Sequence, residues 1–160
     1  MKILILSDNH RASDAVRLAI RKEQPDKILH LGDSEGDRYD FEQIVGNIPF
    51  EMVKGNCDSY FHGHPDSLTI TVGSHVIFMT HGHSHDVKYG LGELRAAANN
   101  AGAEYALYGH THIPDVDYNC GITCINPGSI AYPRQQGRKP TYAIMNLDDQ
   151  DNLTFEIREL

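Results

Sequence analysis

Five short apolar runs lie along this chain, and each ends within three positions of a side chain that can bind a metal ion. The runs are Ile3–Leu6, Ile28–Leu31, Phe50–Val53, Val76–Met79 and Tyr105–Tyr108. Runs this short, with β-branched and aromatic residues, are typical of buried strands. The 25 positions from Asp8 to Asp33 and the 23 from Asp33 to Asn56 leave room for one helix between successive strands. Strands joined by helical crossovers are parallel, so these side chains should converge at one sheet edge, where open sheets bind ligands.

The remaining pattern predicts three helices and a group of later strands. The helices are expected at Ser13–Glu23, Asp37–Val45 and Tyr89–Asn100. Ser13 is the expected N-cap of the first helix and Gly102 the expected C-cap of the third. The later strands are expected at Leu68–Val72 and His75–Thr80, which form a hairpin, and at Val116–Tyr118, Ile122–Ile125, Thr141–Leu147 and Leu153–Arg158. Because the last four alternate and are separated by turn residues, the second half is expected to be antiparallel.

These elements predict an α/β fold in one domain spanning residues 1–160. We expect a two-sheet β-sandwich, with a mostly parallel sheet built early in the chain and a mixed or antiparallel sheet built late. Helices should flank both outer faces. A chain of this length can bury roughly two-thirds of its unfolded surface, enough for one hydrophobic core.

Composition excludes several classes of partner. The net charge of -8 argues against a long nucleic-acid footprint, which needs clustered Lys and Arg. No apolar stretch approaches the roughly 18 residues of a membrane span. The three cysteines have no paired framework, which favours a cytoplasmic location. We therefore expect a small phosphorylated substrate as the partner, no membrane, and a homo-oligomer as an open alternative to a monomer.

Seven side chains after these strands form a candidate ligand set of two Asp, one Asn and four His. They lie in the segments Asp8-Asn9-His10, Gly32-Asp33, Gly55-Asn56-Cys57-Asp58, His81 and Gly109-His110-Thr111-His112. Each segment alone is typical of a turn. Chance is unlikely to place all of them in this order, each directly after a predicted strand. A mixed nitrogen and oxygen set suits Mn, Fe, Zn or Ni. Two such ions, roughly 3.5–4 Å apart, are a device for hydrolysing phosphate esters.

The ordered set resembles the calcineurin-like metallophosphoesterase superfamily. Together with Asn126-Pro127-Gly128-Ser129 after the last ligands, it is most similar to the small bacterial and archaeal phosphodiesterase branch, which includes vacuolar sorting protein 29. The resemblance implies two divalent transition-metal ions per chain, with Mn the first choice and Ni, Fe or Zn as alternatives. One ion would take Asp8, His10, Asp33 and His112, and the other Asp33, Asn56, His81 and His110. A metal-bridged hydroxide would attack phosphorus in line, without a protein nucleophile.

One position departs from the pattern of many relatives, which have His directly after the Asn to protonate the leaving group. Cys57 stands there, and a thiol with a pKa near 8.5 is a weak substitute. Cys57 is equally well explained as a small filler residue, and Asp58, which orients that His in relatives, is expected to brace the loop. The departure disfavours monoesters with poor leaving groups.

Three further residues are candidates for substrate contact. His83 lies two positions after His81, Arg11 follows the first motif, and Arg134 follows the Asn-Pro-Gly-Ser segment. Arginines in positions such as those of Arg11 and Arg134 are more often solvated surface charges. The other histidines are expected on the surface or in strands: His30, His62, His64, His75 and His85.

We therefore predict a metal-dependent phosphoesterase, specifically a phosphoric diester hydrolase. The catalytic group comprises Asn56, Cys57, Asp58 and His83. Two alternatives remain: a phosphomonoesterase or nucleotide pyrophosphatase, and a non-catalytic scaffold of the same fold. The complete ligand set favours the enzyme over the scaffold.

Overall fold

The computed structural model describes residues 1–59 and 63–160, so His62 lies outside the described residues. These residues form two five-stranded sheets and three α-helices. The helices are α1 (Ser13–Glu23), α2 (Arg38–Val45) and α3 (Gly92–Asn100). The strands are β1 (Lys2–Leu6), β2 (Lys27–His30), β3 (Phe50–Met52), β4 (Ser67–Val72), β5 (His75–Thr80), β6 (Tyr105–Leu107), β7 (Pro114–Asp117), β8 (Thr123–Pro127), β9 (Thr141–Leu147) and β10 (Leu153–Glu159).

The two-sheet architecture and its helical layers are confirmed. One hydrophobic cluster fills the space between the sheets and contains Ile5 and Leu29 from the first and Met79 and Leu107 from the second. A second cluster joins the other face of the first sheet to α1 and α2, and a third joins the second sheet to α3. The chain thus has the sheet–sheet core and the outer helices that the sequence predicts.

The division of strands between the sheets differs from the prediction. The orders are β10-β9-β1-β2-β3 and β4-β5-β6-β8-β7, so the last two strands return to the first sheet. There β9 pairs antiparallel with β1, while β8 pairs parallel with β6, so both sheets are mixed. Strand β9 is buried on both faces, with Tyr142 and Ile144 against the α1 and α2 side and Ala143 and Met145 in the central core. A strand covered on both faces suits the interior of a sheet, and alternation alone did not reveal which sheet receives it.

Two helix starts also differ from the prediction. Ala12, not Ser13, occupies the N-cap of α1, and it makes no side-chain cap bond. The chain enters this helix from Arg11, whose φ of 64° lies in the left-handed region, and the Ser13 N–H donates to the Arg11 carbonyl at 2.7 Å. Helix α3 begins at Gly92, because residues 86–89 form a separate turn. Gly102 follows its C-cap at φ 69°, as expected for a helix end.

Helix α2 begins as predicted. The Asp37 side chain accepts the Asp40 N–H, and the Asp40 carboxylate accepts the Asp37 N–H, which forms a capping box. No helix of the described residues is long and apolar enough to cross a membrane.

Candidate metal centre

The candidate ligands converge where strands of both sheets end. Asp8 follows β1 and Asp33 follows β2, whereas His81 follows β5 in the opposite sheet. The Asp8 Oδ1 atom lies 3.9 Å from His81 Nε2, and the Asp33 Oδ2 atom lies 3.4 Å from the same nitrogen. Both carboxylates and the His81 side chain are almost completely buried. Side chains up to 73 positions apart thus meet in one small volume, as predicted, but they come from the strand ends of two sheets and not from a single sheet edge.

The remaining ligands complete two adjoining groups. His112 Nε2 lies 3.1 Å from Asp8 Oδ1, and Asn56 Oδ1 lies 3.2 Å from His81 Nε2. The ligand atoms of Asp8, His10 and His112 lie within 4.8 Å of one another, and so do those of Asp8, Asp33 and His81. The His110 ring centroid is 5.1 Å from that of His81. All seven predicted ligands therefore border one site.

The backbone of these motifs is unusual. Five candidate ligands adopt φ between 42° and 67°, in the left-handed region: Asp8, His10, Asp33, His110 and His112. Such conformations are costly for residues other than glycine and cluster at functional sites. The Asp8 and His10 N–H groups donate to the carbonyls of Gly32 and Asp33, both at 3.0 Å, so the first two motif loops are bonded to each other. The loops therefore hold their side chains in a fixed arrangement.

Backbone carbonyls orient two of the imidazoles. His81 Nδ1 donates to the Leu31 carbonyl at 2.7 Å, and His112 Nδ1 donates to the Tyr132 carbonyl at 2.7 Å. Each Nε2 then faces the centre, the orientation that metal-binding histidines adopt. His112 Nε2 and Asp8 Oδ1 lie 3.1 Å apart, a separation that suits two ligand atoms of one cation.

A carboxylate orients the third imidazole. His10 Nδ1 lies 2.6 Å from Glu35 Oε1, which leaves His10 Nε2 facing inward. Both His10 Nε2 and Asp8 Oδ1 are buried and make no hydrogen bond within the described residues. Buried polar atoms normally have partners, so these two unpartnered atoms are suited to binding a cation. Glu35 was not predicted, since a lone Glu in a loop gives no indication of its partner.

Neighbouring groups lower the pKa values of the two aspartates in the centre. Burial alone raises the pKa of Asp33, but the His81 ring and the Cys57 N–H outweigh burial and hold the pKa well below its usual range. Burial also raises the pKa of Asp8, and His112 and His81 outweigh it to give a net lowering. The carboxylates are therefore ionised and available to a cation at neutral pH. Because a cation competes with protons for these ligands, its binding should release protons.

Asp58 braces the loops instead of lining the pocket. Its Oδ2 accepts the N–H groups of Asp33 and Gly55, both at 2.8 Å. Its Oδ1 accepts the Glu35 N–H at 2.6 Å and the Ser34 hydroxyl at 3.4 Å. One buried carboxylate thereby connects the second and third motifs.

Two motif glycines are required by close packing. A Cβ added at Gly55 would collide with the Asp33 carboxylate, and one added at Gly109 would collide with the Ser7 hydroxyl. Both glycines precede a predicted ligand, so they let the strand ends approach closely enough for the ligands to meet.

Cys57 lies beside the Asp33 carboxylate. Its N–H donates to Asp33 Oδ1 at 2.7 Å, and the Asn56 amide nitrogen lies 3.2 Å from its sulfur. Burial, together with the hydrogen bond and charge of Asp33, raises the pKa of the Cys57 thiol to about 12. The side chain is nevertheless exposed at the pocket.

The pocket over the centre has a volume of about 120 Å³. Besides candidate ligands and Cys57, it is lined by Lys88 and Arg134. The Arg134 N–H donates to the His112 carbonyl at 3.0 Å, which fixes that residue at the rim. Lys88 was not among the predicted site residues, because it belongs to no motif and directly precedes the predicted third helix. Arg11 lines a different cleft, between α1 and α2, and approaches Glu35 at 3.8 Å.

His30 has a role that the sequence did not reveal. This fully buried strand residue donates from Nε2 to Asn9 Oδ1 at 2.8 Å and accepts the Gly32 N–H at Nδ1 at 3.2 Å. Burial lowers its pKa to about 4, so the ring is neutral and fills both roles. His30 thereby connects the first two motif loops from behind.

The other histidines divide between the pocket and the periphery. His83 lies beside the centre, with its ring 5.4 Å from that of His81, and burial and the charge of His81 lower its pKa. His75 pairs with Glu104 at 2.9 Å on the hairpin, away from the ligands.

Comparison with known proteins gives the family. The model of the calcineurin-like phosphoesterase superfamily domain matches residues 1–150. This chain belongs to the calcineurin-like phosphoesterase superfamily. The probable metallophosphoesterase YsnB of Bacillus subtilis (strain 168) is 36% identical over 151 residues, covering 93% of this chain and 86% of that protein. Phosphodiesterase YfcE of Escherichia coli (strain K12) is 30% identical over 103 residues, covering 60% of this chain and 52% of that protein.

Solved structures of this superfamily share the fold. A predicted phosphoesterase from Streptococcus pneumoniae TIGR4 has a TM-score of 0.83 at 31% identity, covering 99% of this chain and 88% of that one. Vacuolar Protein Sorting 29 from Cryptosporidium parvum has a TM-score of 0.75 at 17% identity, covering 99% and 98%. The resemblance drawn from the motifs is confirmed, and with it the prediction of a metallophosphoesterase that uses divalent metal ions.

Proposed function

We propose that this phosphoesterase binds two ions and hydrolyses phosphodiesters. The supporting observation is the convergence of seven candidate ligands at one small site, where the buried atoms Asp8 Oδ1 and His10 Nε2 make no hydrogen bond within the described residues. One ion would be held by Asp8, His10, Asp33 and His112, and the second by Asp33, Asn56, His81 and His110. Asp33 would be shared, because a carboxylate offers two oxygens. The mixed ligand set favours Mn, with Ni, Fe or Zn as alternatives.

The protein contributes positioning and positive charge. Two bound ions supply a nucleophile from water and polarise the phosphoryl oxygens. Among the seven ligands only Asp8 and Asp33 carry negative charge, so the loaded centre stays positive. Lys88 and Arg134 add two cations at the rim of the same pocket. This environment suits a phosphate anion, and the small pocket suits a small substrate.

Leaving-group chemistry favours diesters. At the position after Asn56 the chain offers a thiol in place of an imidazole, and the adjacent Asp33 charge disfavours its ionisation. Without an effective general acid, hydrolysis depends on metal charge and on the leaving group, which disfavours monoesters of poor leaving groups. The name of the relative YfcE, a phosphodiesterase, agrees with this choice.

The test combines metal content with substrate class. Protein stripped with chelator and reloaded with Mn²⁺ should contain about two ions per chain by elemental analysis. It should hydrolyse bis(p-nitrophenyl) phosphate with a higher kcat/KM than p-nitrophenyl phosphate, which releases the same leaving group. His75→Ala is the matched control, because that ring bonds Glu104 on the hairpin.

Three results would contradict the proposal. One ion or fewer after reloading with Mn, Ni, Fe and Zn in turn would contradict the dinuclear centre. A preference for the monoester or for a nucleotide pyrophosphate bond would contradict the diester assignment. Two bound ions without turnover of any ester would favour a scaffold.

A further inference from the structure

A second cavity adjoins the metal pocket. It has a volume of about 220 Å³ and is lined by His83, Asp86, Val87, Lys88, Tyr89 and His110. Lys88 and His110 also line the metal pocket, so the two cavities share a wall. A substrate held at the metals can therefore extend past Lys88 into this second space.

The second cavity rests on a turn that is fixed to the centre. The Tyr89 N–H donates to the Asp86 carbonyl at 2.8 Å, and Asp86 has φ 49°. Val87 is buried and packs on Gly82, where an added Cβ would approach the valine Cγ2 to 2.9 Å. Because Gly82 directly follows His81, the turn is held in a set position relative to a metal ligand.

The lining combines an aromatic ring with polar groups. Tyr89 is 90% exposed, more than any other large hydrophobic residue described. An aromatic ring left in water beside a cavity is a typical platform for a flat ligand. Asp86 offers an exposed carboxylate that can accept hydroxyl groups, and His83 Nδ1 is buried without a hydrogen bond among the described residues. This combination fits a ring-bearing, hydroxylated group.

Charge distinguishes this space from the metal pocket. Lys88 is its single formal cation, and the Asp86 carboxylate opposes it. The Asp86 carboxylate would repel a second phosphate in this cavity, whereas it can accept hydrogen bonds from the neutral hydroxyl groups of a sugar. Cys57 occupies the position that faces the leaving group in relatives, and it lies with His10 and Asp33 in a separate group of ligand atoms. The leaving group and the retained group of the diester therefore have different surroundings.

We propose that the cavity bordered by His83, Asp86, Lys88 and Tyr89 binds the retained ester arm of the phosphodiester, and that this arm is a nucleoside. The inference rests on the proposed function. The base stacks on Tyr89, the sugar hydroxyls donate to Asp86, and Lys88 contacts the phosphate. Water adds to phosphorus, the bond to the other ester oxygen breaks, and a nucleoside monophosphate and the released alcohol are the products.

The experiment compares two diesters with the same leaving group. These are the p-nitrophenyl ester of thymidine 5′-monophosphate and methyl p-nitrophenyl phosphate, assayed with the Mn²⁺-loaded protein. Stacking of one base on an aromatic side chain supplies between about 5-fold and 100-fold in binding. The thymidine ester should show an advantage of that size in kcat/KM. Thymidine 5′-monophosphate should likewise inhibit more strongly than methyl phosphate, which reports binding without turnover.

Variants of Tyr89 assign the advantage to this cavity. Tyr89→Ala should reduce the ratio of the two kcat/KM values, and the difference between the two inhibitors, by about tenfold. Tyr89→Phe should retain both, because it keeps the ring. Tyr118→Ala is the control, since Tyr118 is 72% exposed and lies before the start of β8, at the opposite sheet edge.

The outcomes separate the inference from the proposed function. Equal hydrolysis of the two diesters, or an advantage unchanged by Tyr89→Ala, would overturn the nucleoside subsite and leave the phosphodiesterase intact. Failure to hydrolyse either diester with metal bound would overturn both.

Discussion

Replacing Asp58 by Asn tests how the centre is built. The variant removes one acceptor oxygen and hardly changes shape. In the native protein Asp58 Oδ2 accepts hydrogen bonds from the N–H groups of Asp33 and Gly55, and Oδ1 accepts one from the Glu35 N–H. If the Asn amide places its oxygen at the Oδ2 position, it keeps the bonds from Asp33 and Gly55. Its NH2 group then faces the Glu35 N–H, and that bond is lost. The opposite orientation leaves two backbone N–H groups unpaired, whereas the first leaves one, because the Ser34 hydroxyl can donate to the Gly36 carbonyl at 3.1 Å. We therefore expect the first.

The expected magnitude follows from that one lost bond. The Glu35 N–H is part-buried, so the metal-free Asp58→Asn protein should lose about 1 kcal/mol of free energy of unfolding, the low end for an unpaired buried group. Its affinity for Mn²⁺ should fall by about 10- to 100-fold, as for other residues that orient metal ligands. Urea unfolding in chelator measures the first quantity, and calorimetric titration with Mn²⁺ measures the second.

The matched control is Asp149→Asn, an exposed acid in the β9–β10 turn. It should change the free energy of unfolding by no more than about 0.5 kcal/mol. If Asp58→Asn behaves like this control in both assays, Asp58 does not hold the loops, and the account of the second and third motifs is wrong.

Further predictions concern the bridge, the thiol and acid stability. Asp33→Asn should abolish binding of two ions per chain and lower kcat/KM even at saturating metal; full activity by the diester assay would contradict the bridging assignment. Cys57→Ser should change diester hydrolysis little, whereas a loss of about 10²–10⁴-fold with metal content unchanged would show that the thiol acts as an acid. Burial raises the pKa of Glu23, but its bonds to Tyr142 and Arg158, both 2.6 Å, outweigh burial and give a net lowering. The stability from Glu23 is therefore present above the unfolded-state pKa of about 4.3 and is lost as pH falls through the lower folded-state pKa. Urea unfolding of Glu23→Gln should show lower stability at pH 7 and a weaker loss on acidification than wild type; parallel pH profiles would refute this.

The candidate site could be predicted from the chain because its ligands are tied to strand ends. A buried strand needs a short apolar run, and a parallel sheet places the residues after such runs at one edge. Asp8 and Asp33 illustrate this, since each lies two positions beyond its run in the first sheet, whereas His81 reaches the same site from a strand end of the second sheet. The start of helix α2 at Asp37 was also predicted from local sequence, and its capping partner Asp40 is only three positions away.

Sheet membership of the last strands required the tertiary structure. Strand β9 alternates and follows a turn, features compatible with either sheet. Its position beside β1 depends on burial of Tyr142 and Ile144 against helices α1 and α2, which lie far earlier in the chain. Local sequence carries no information about such a distant partner.

The amino-acid sequence by itself determined the buried strands, the order of the polar motifs and therefore the ligand set and the family. Only the tertiary structure decided how these ligands are oriented and what surrounds them. The Nδ1 atoms of His10, His81 and His112 face partners 25, 50 and 20 positions away. Lys88 and Tyr89 reach the cleft because Val87 packs on Gly82. Strand runs are visible in sequence because they arise from local periodicity, whereas hydrogen-bond partners and cavity walls arise from long-range packing that no short segment contains.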